Sequence, residues 1–314
     1  MKPKAFMTIA ILALVAAGCS NDDETDNWAG EIRLSSRLEA QQTGTRAATD
    51  IQGSQFANGE EIDVFICEST EGEIATSYEQ PLVYTTENGQ MNPPANKQPY
   101  FPTSGNGVNI YAYYPSTKVG ADITKRDVSF TVEEDQSTDA NYKNSDLMYG
   151  TPVNNPVART SSATTLTFTH LLSKVTIKLK QGAGSPTLTD AFVKLKAVRP
   201  STTLNASNGT ISAASGDPKD ITVKANTTTG LENSAIVVPQ TLATSFIEVT
   251  LASGGVLISK DLTDDGSNPI NNVVLTSGNE YTYTITVNLT SLDVTSTITP
   301  WDQYTGATGA AEMQ

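Results

Sequence analysis

Residues 165 to 180 read Thr-Leu-Thr-Phe-Thr-His-Leu-Leu-Ser-Lys-Val-Thr-Ile-Lys-Leu-Lys, and this stretch decides the fold class. Apolar side chains alternate with threonines and lysines on both sides of Leu171-Leu172-Ser173, where we expect a bulge. The alternating residues are Leu166, Phe168, Val175, Ile177 and Leu179. A period of two places these side chains on one face of a β-strand, so the stretch predicts a β-rich protein.

Short segments of the same kind recur along the chain. They cover residues 62–67, 81–85, 109–114, 128–133, 146–150, 192–197, 221–223, 235–238, 246–251, 256–262, 280–289 and 292–298. Turn signals such as Asn208-Gly209 and Asp265-Gly266 separate them, and no stretch keeps a helical period over three turns. Many short strands at regular spacing predict an all-β protein made of sandwiches.

The length of the chain predicts two domains. Its 314 residues exceed one ordinary sandwich. The polar stretch 154–163, which contains Pro156, lies where a linker is expected. We therefore predict an N-terminal sandwich over residues 47–160 and a C-terminal sandwich over residues 161–314.

The charge of the chain limits its partners. The net charge is −14, and it becomes −16 if a leader containing Lys2 and Lys4 is removed. Such an acidic protein repels nucleic acid and bare anionic membranes. We therefore expect no nucleic-acid partner.

The first 18 residues have the pattern of a secretory signal peptide, with basic residues, an apolar run from Phe6 to Ala17, and Ala-Gly before Cys19. This junction resembles the lipobox of bacterial lipoproteins, although Ala16 stands where Leu is usual. The resemblance implies that Cys19 carries lipid, including palmitate. The acidic run from Ser20 to Glu24 resembles the signal that sends lipoproteins of Bacteroidetes to the outer face of the outer membrane. The alternative is a solvated tether.

The segment after the acidic run predicts a strand followed by an exposed loop. Ile32, Leu34 and Leu38 share one face of an alternating pattern. Residues 41–50 have almost no apolar side chains to bury, so Arg46 is expected to be open to a trypsin-like protease. We therefore assign residues 19–46 to a tether and first strand.

Catalytic chemistry has little support in the sequence. His170 is the single histidine, and Cys67 is the single cysteine outside the leader junction. Neither a Cys-His pair nor a histidine-rich metal site is expected from them. We expect both side chains to be structural, and we predict a protein that is not an enzyme and has no cofactor or metal.

Three tyrosines offer a possible ligand surface. Tyr111, Tyr113 and Tyr114 lie together in Tyr-Ala-Tyr-Tyr-Pro. Aromatic rings on one strand face can stack on sugars, which favours a glycan-binding surface lipoprotein that does not polymerise. The alternative is that the rings pack inside a sandwich core.

Several segments together resemble the fimbrillin family of Bacteroidetes, which are lipoprotein subunits of surface pili. The segments occur in this order: Gly44-Thr-Arg-Ala47, Phe56–Phe65, Tyr111–Pro115, Asp146–Gly150, Phe168–Ile177, Val238-Pro-Gln-Thr241, Gly278–Ile285 and Ile298-Thr-Pro-Trp301. Their order and spacing behind a lipobox carry the resemblance, rather than any one segment.

The resemblance implies two tandem transthyretin-like (Greek-key) β-sandwich domains and a mode of assembly. An arginine-specific, trypsin-like protease would cut after Arg46, or after Arg37 as the second choice. The strand carrying Ile32, Leu34 and Leu38 would then leave, and a strand from another pilus subunit would fill the groove. This function predicts a lipid-anchored precursor on the outer membrane, incorporation into a fimbrium, and support of cell adhesion. The donated strand is expected to be C-terminal, among residues 281–289 and 292–298, and the sequence does not choose between them.

Overall fold

The computed structural model of the protein describes residues 28–39, 55–69, 81–116, 127–225, 231–259, 262 and 270–300. Within these residues the chain is all-β with one short helix, which confirms the predicted fold class. Among the same residues, no helix has both the length and the apolar character needed to cross a membrane.

The elements are numbered in chain order. They are β1 Leu34–Leu38, β2 Glu61–Glu68, β3 Leu82–Glu87, β4 Gln90–Asn92, β5 Val108–Tyr114, β6 Asp127–Thr131, α1 Asp139–Asn144, β7 Met148–Pro152, β8 Thr164–His170, β9 Ser173–Gln181, β10 Phe192–Val198, β11 Ser201–Asn205, β12 Thr210–Ile211, β13 Lys219–Thr222, β14 Lys224–Ala225, β15 Glu232–Val237, β16 Thr241–Ala243, β17 Ile247–Thr250, β18 Val256–Ile258, β19 Asn272–Val274, β20 Asn279–Val287 and β21 Leu292–Pro300.

The strands form a barrel and several open sheets. The closed barrel has the order β1-β4-β3-β2-β5-β7-β8. A five-stranded sheet has the order β14-β15-β9-β20-β21, and a four-stranded sheet has the order β13-β10-β17-β18. Two smaller sheets are β12-β11-β6 and β16-β19.

Two hydrophobic cores correspond to these groups of strands. One fills the barrel and includes Leu34, Tyr84 and Phe168. The other lies among the open sheets, and it also contains Phe65 and Tyr113 from the opposite faces of barrel strands. The barrel therefore buries side chains on its inside and also packs part of its outer surface against the second core.

Only two residues, Leu171 and Leu172, connect β8 of the barrel to β9 of the five-stranded sheet. The N–H of Leu171 donates to the carbonyl of Leu147 at 2.9 Å. On the other side, the N–H of Gly278 donates to the carbonyl of Leu172 at 2.9 Å. The prediction of a bulge at residues 171–173 is therefore wrong. The alternation of apolar residues breaks there because the chain leaves one sheet and enters another.

The predicted division into residues 47–160 and 161–314 stays a prediction. Two strands bear on where a boundary would fall. β8 follows residue 161 in sequence and pairs with β1 and β7 in the barrel. β6 precedes residue 160 and pairs with β11 of an open sheet.

A buried glutamine bonds to the backbone of β15 where the short strand β14 no longer reaches it. The side-chain Oε1 of Gln136 accepts from the N–H of Ile236 at 2.8 Å, and its Nε2 donates to the carbonyl of Ile236 at 2.8 Å. Ile236 belongs to β15, whose preceding residues Asn233 and Ser234 pair with β14. The amide side chain therefore takes the place of a neighbouring strand, since buried backbone groups require partners.

Candidate functional site

The candidate site is the slot that β1 fills between β4 and β8. β1 runs parallel to β8, with Leu34 opposite Thr164 and Leu38 opposite Phe168. On its other side it runs antiparallel to β4, with Leu34 opposite Met91. Because β1 is the strand that joins β4 to β8, its departure would open the barrel and leave two unpaired strand edges.

Backbone hydrogen bonds hold the segment along its length. The N–H of Ile32 donates to Pro99 at 2.9 Å, and the N–H of Ser36 donates to Gly89 at 2.8 Å. At the far end, the N–H of Glu39 donates to the carbonyl of Phe168 at 2.9 Å. A replacement strand would have to remake this ladder.

The inward side chains of the segment are buried in the barrel core. Ile32 is 1% exposed, Leu34 is 2% exposed and Leu38 is 5% exposed. At about 1.5–3 kcal/mol for each of the three side chains, their burial is worth about 4.5–9 kcal/mol. The slot is therefore a hydrophobic groove whenever it is empty.

One inward side chain of β1 is polar. Ser36 is buried between Leu34 and Leu38, and within the described part of the chain its hydroxyl has no hydrogen-bond partner. A buried hydroxyl without a partner reduces stability. β1 is therefore held less firmly than a strand with apolar residues at all three inward positions, 34, 36 and 38, would be.

The outward side chains of β1 make polar contacts with β8. The Nε of Arg37 donates to the hydroxyl of Thr167 at 2.8 Å, and the hydroxyls of Ser35 and Thr165 lie 2.9 Å apart. Arg37, the second choice for protease cleavage, lies inside a strand that pairs on both sides. A protease needs an accessible, extended loop, so this position is protected while β1 is in place.

The sites predicted before β1 and after it fall elsewhere. Cys19, the predicted lipid-bearing residue, and Arg46, the first choice for cleavage, lie outside the described residues. Both stay predictions.

β21, one candidate for the donated strand, lies at the end of the five-stranded sheet. It pairs with β20 through nine residue pairs, from Asn279 opposite Pro300 to Val287 opposite Leu292. β20, the other candidate, lies between β9 and β21 and pairs with both. Release of β20 would break two ladders, whereas release of β21 would break one.

Two of the three tyrosines of β5 are packed in the interior, and the third is partly buried. Tyr113 is 0% exposed and Tyr114 is 2% exposed, while Tyr111 is partly buried against the second core. The hydroxyl of Tyr114 donates to Glu60 at 2.9 Å. Burial also raises the pKa of the neighbouring Tyr149 above its ordinary value. In this conformation, Tyr113 and Tyr114 present no ring face on which a sugar could stack.

The two side chains considered for chemistry have structural contacts. The Nδ1 of His170 lies 2.7 Å from the carboxylate of Asp146, and this pair joins the end of β8 to the segment before β7. Cys67 is buried in β2, with its thiol 3.7 Å from the carbonyl of Asn109. In the described part of the chain, no three residues among His, Cys, Asp and Glu are grouped to hold a metal ion.

The fold is similar to that of two solved structures from Bacteroides species. A provisionally assigned cell adhesion protein from Bacteroides uniformis aligns with a TM-score of 0.64 and 21% identity, covering 87% of this chain and 98% of that one. A second such protein, from Bacteroides ovatus, aligns with a TM-score of 0.64 and 18% identity, covering 86% and 97% of the two chains. At these identities the likeness establishes the fold class alone.

The sequence itself identifies the family. A family model described as fimbrillin-like matches residues 45–301. The chain is also 27% identical to a provisional fimbrium subunit, Fim1C of Bacteroides uniformis, over 99% of this chain and 100% of that protein. The chain therefore belongs to the fimbrillin-like family, which confirms the resemblance found in the sequence. Membership supports a structural role in a cell-surface fimbrium together with other subunits.

Proposed function

We propose that this protein is a structural subunit of a surface fimbrium that assembles by protease-triggered strand exchange. The observation that carries the proposal is the position of β1, a short strand near the N-terminus that closes a barrel whose other six strands come from later in the chain. A cut after Arg46 would separate β1 from the rest of the chain. The hydrophobic groove left behind would then accept a C-terminal strand from another subunit, because an open strand edge templates pairing.

Delivery to the surface and the finer architecture belong to the same proposal. Lipid on Cys19 would anchor the precursor to the outer membrane, and the assembled fimbrium would support cell adhesion. The barrel and the open sheets would correspond to two tandem transthyretin-like sandwiches. Membership in the fimbrillin-like family supports a place in a fimbrium, and the lipobox-like sequence before Cys19 supports the lipid anchor.

The test compares the protein before and after brief treatment with trypsin. The full-length protein is isolated from the outer membrane, and its intact mass and N-terminal sequence are measured. We expect a new N-terminus at Ala47 and a ladder of SDS-resistant oligomers after the cut. The Arg46→Ala variant should remain uncut and monomeric.

Arg37→Ala serves as the matched control, because it removes an arginine that lies inside β1. This variant should be cut and should assemble like the unaltered protein. Assembly of Arg46→Ala at the unaltered rate would overturn the proposed trigger. A protein that is cut after Arg46 and stays monomeric would overturn strand exchange.

A further inference from the structure

The inward face of β1, together with Ile32 just before it, carries the same order of side-chain types as the inward face of β21. In the first segment the order is Ile32, Leu34, Ser36 and Leu38, and in the second it is Leu292, Val294, Ser296 and Ile298. Each set reads apolar, apolar, serine, apolar at every second residue. Both sets face a hydrophobic core, although the two strands lie in different sheets.

The two serines also share an unusual environment. Ser36 is 6% exposed and Ser296 is 8% exposed, and neither hydroxyl has a hydrogen-bond partner among the residues that the structure describes. A buried hydroxyl without a partner weakens the strand that carries it. Both strands are therefore held less tightly than their apolar residues alone would allow.

The wall of the slot differs in bulk along its length. β8 places Leu166 opposite Ser36 and the larger Phe168 opposite Leu38. The ring of Phe168 packs over Gly150 of the adjacent β7 and contacts Phe56 edge-on, with 5.0 Å between ring centroids. Of the four inward residues from Ile32 to Leu38, Ser36 has the smallest side chain.

We propose that the Ser36 position is a small-residue subsite that both eases the release of β1 and sets the register of its replacement. The replacement is β21 of a second copy of this chain, with Ser296 in the place of Ser36. This inference rests on the proposed strand exchange and names its donor strand and register.

The outward residues fit the same alignment. It places Thr295 where Ser35 now lies, beside Thr165, so that the existing pair of hydroxyls, 2.9 Å apart, is kept. A shift of two residues would instead place Val294 or Ile298 at the serine subsite and Ser296 at a position that now holds a large apolar side chain. Overfilling one position and leaving a cavity at the other both reduce stability.

The first test measures how readily β1 opens in the uncut, full-length protein. Ser36→Ala removes the unpartnered hydroxyl at nearly constant volume. Hydrogen exchange of the β1 amides should slow by about tenfold. The control is Ser35→Ala, which removes an outward hydroxyl with a partner and should leave exchange unchanged or faster. Unchanged hydrogen exchange of the β1 amides in Ser36→Ala would overturn the role of Ser36 in easing the release of β1, whether or not the protein polymerises.

The second test reads the register in the protease-treated protein. Cysteines are placed in the pair Thr165→Cys and Thr295→Cys, while Cys67 is buried. Cross-strand neighbours lie within disulfide range, so cut protein should form covalently linked oligomers under oxidation, and uncut protein should not. The pair Thr165→Cys and Thr297→Cys reports a shift of two residues and should link weakly.

The outcomes separate the two proposals. Oligomers that link through position 297, or that link through neither position, would overturn the register while leaving strand exchange intact. Cut protein that forms no oligomers would overturn strand exchange and the register together. The exchange rate of β1 in the uncut Ser36→Ala variant would still decide the release role.

Discussion

The barrel and the five-stranded sheet differ in how their structure is completed. The barrel is closed by β1, a five-residue strand near the N-terminus that carries a buried, unpartnered hydroxyl. The five-stranded sheet is built on β9 and β20, which have nine residues each and pair in parallel at its centre. One cut between β1 and β2 would separate β1 from the rest of the chain, whereas β21 lies at the edge of the five-stranded sheet, beside β20. Under the proposed strand exchange, the barrel would supply the groove to be filled and the edge of the sheet would supply the strand to be donated.

The largest contrast is expected from shortening one buried side chain in each region. Ile177→Ala in β9 should lower the free energy of unfolding by about 2–5 kcal/mol, because it leaves a cavity at a fully buried position. Leu34→Ala in β1 removes a comparable side chain, but its loss should appear mainly as faster local opening of β1. Chemical denaturation with hydrogen exchange by mass spectrometry measures both. Equal loss of global protection in the two variants would show that β1 is not a separable strand.

The glutamine clamp on β15 tests whether the sheet depends on more than its own strands. Gln136→Ala should cost about 2–4 kcal/mol, since it leaves both backbone groups of Ile236 buried without a partner. Gln136→Glu keeps the acceptor for the Ile236 N–H and loses the donor, so it tests the two bonds separately. Thermal unfolding monitored by circular dichroism measures the change. An unaffected melting temperature in Gln136→Ala would show that another group satisfies this edge.

A smaller effect is expected from adding one methyl group inside the barrel. A Cβ at Gly150 would lie 2.5 Å from the ring of Phe168, so Gly150→Ala should cost about 1–3 kcal/mol through overpacking. Gly255→Ala is the matched control, because a Cβ there would meet only Leu251 at 3.8 Å. Adding Phe168→Leu to Gly150→Ala should recover part of the loss if the clash is its cause. Denaturant titration of the three variants checks the order.

The smallest effect on stability is expected at an ion pair near the surface. Removing this pair should not distinguish the barrel from the five-stranded sheet. Hydrogen bonding from Lys196 lowers the pKa of Asp220 from its ordinary value. Because the folded-state pKa is lower than the unfolded one, the pair stabilises above the unfolded pKa of about 3.9 and loses this contribution as pH falls below it. Asp220 is exposed and Lys196 is partly exposed, so Asp220→Asn should barely change the denaturation midpoint at pH 7. The remaining difference from the unaltered protein should shrink below about pH 4, and a difference that grows there would contradict the sign.

The local pattern of the sequence predicted many strands and little about their pairing. The alternation of Ile32, Leu34 and Leu38 predicted the first strand, and the structure places β1 at residues 34–38. That β1 pairs in parallel with β8, about 130 residues away, could not be predicted, because register between distant strands leaves no periodic signal. The break at residues 171–173 was visible, but a bulge and a change of sheet look alike in one sequence.

The helix and the buried tyrosines show two other limits. α1 has only six residues, so it lies below the length at which a helical period can be detected. The sequence did contain a capping signal, because Thr138 stands just before α1 and threonine is a favoured N-cap residue. In the structure its hydroxyl accepts from the N–H of Asn141 at 3.2 Å. For Tyr113, the pattern gave the strand face but could not say what covers it, because both faces of β5 are packed.

The joint at Leu171 and Leu172 has a mechanical consequence. β8 flanks the slot, and β9 begins after two intervening residues. β9 runs parallel to β20, and β20 in turn pairs with β21. In a fibre assembled by strand exchange, tension on the inserted strand would pass along β8, through this joint, and across to the strand held by the next subunit. Hydrogen bonds from Ser277 and Gly278 fasten the joint to the residues just before β20, and the bond to Leu147 fastens it to the residue just before β7. A pull along the strands loads many hydrogen bonds in shear at the same time, so a fibre of such subunits should stretch little before any one subunit opens.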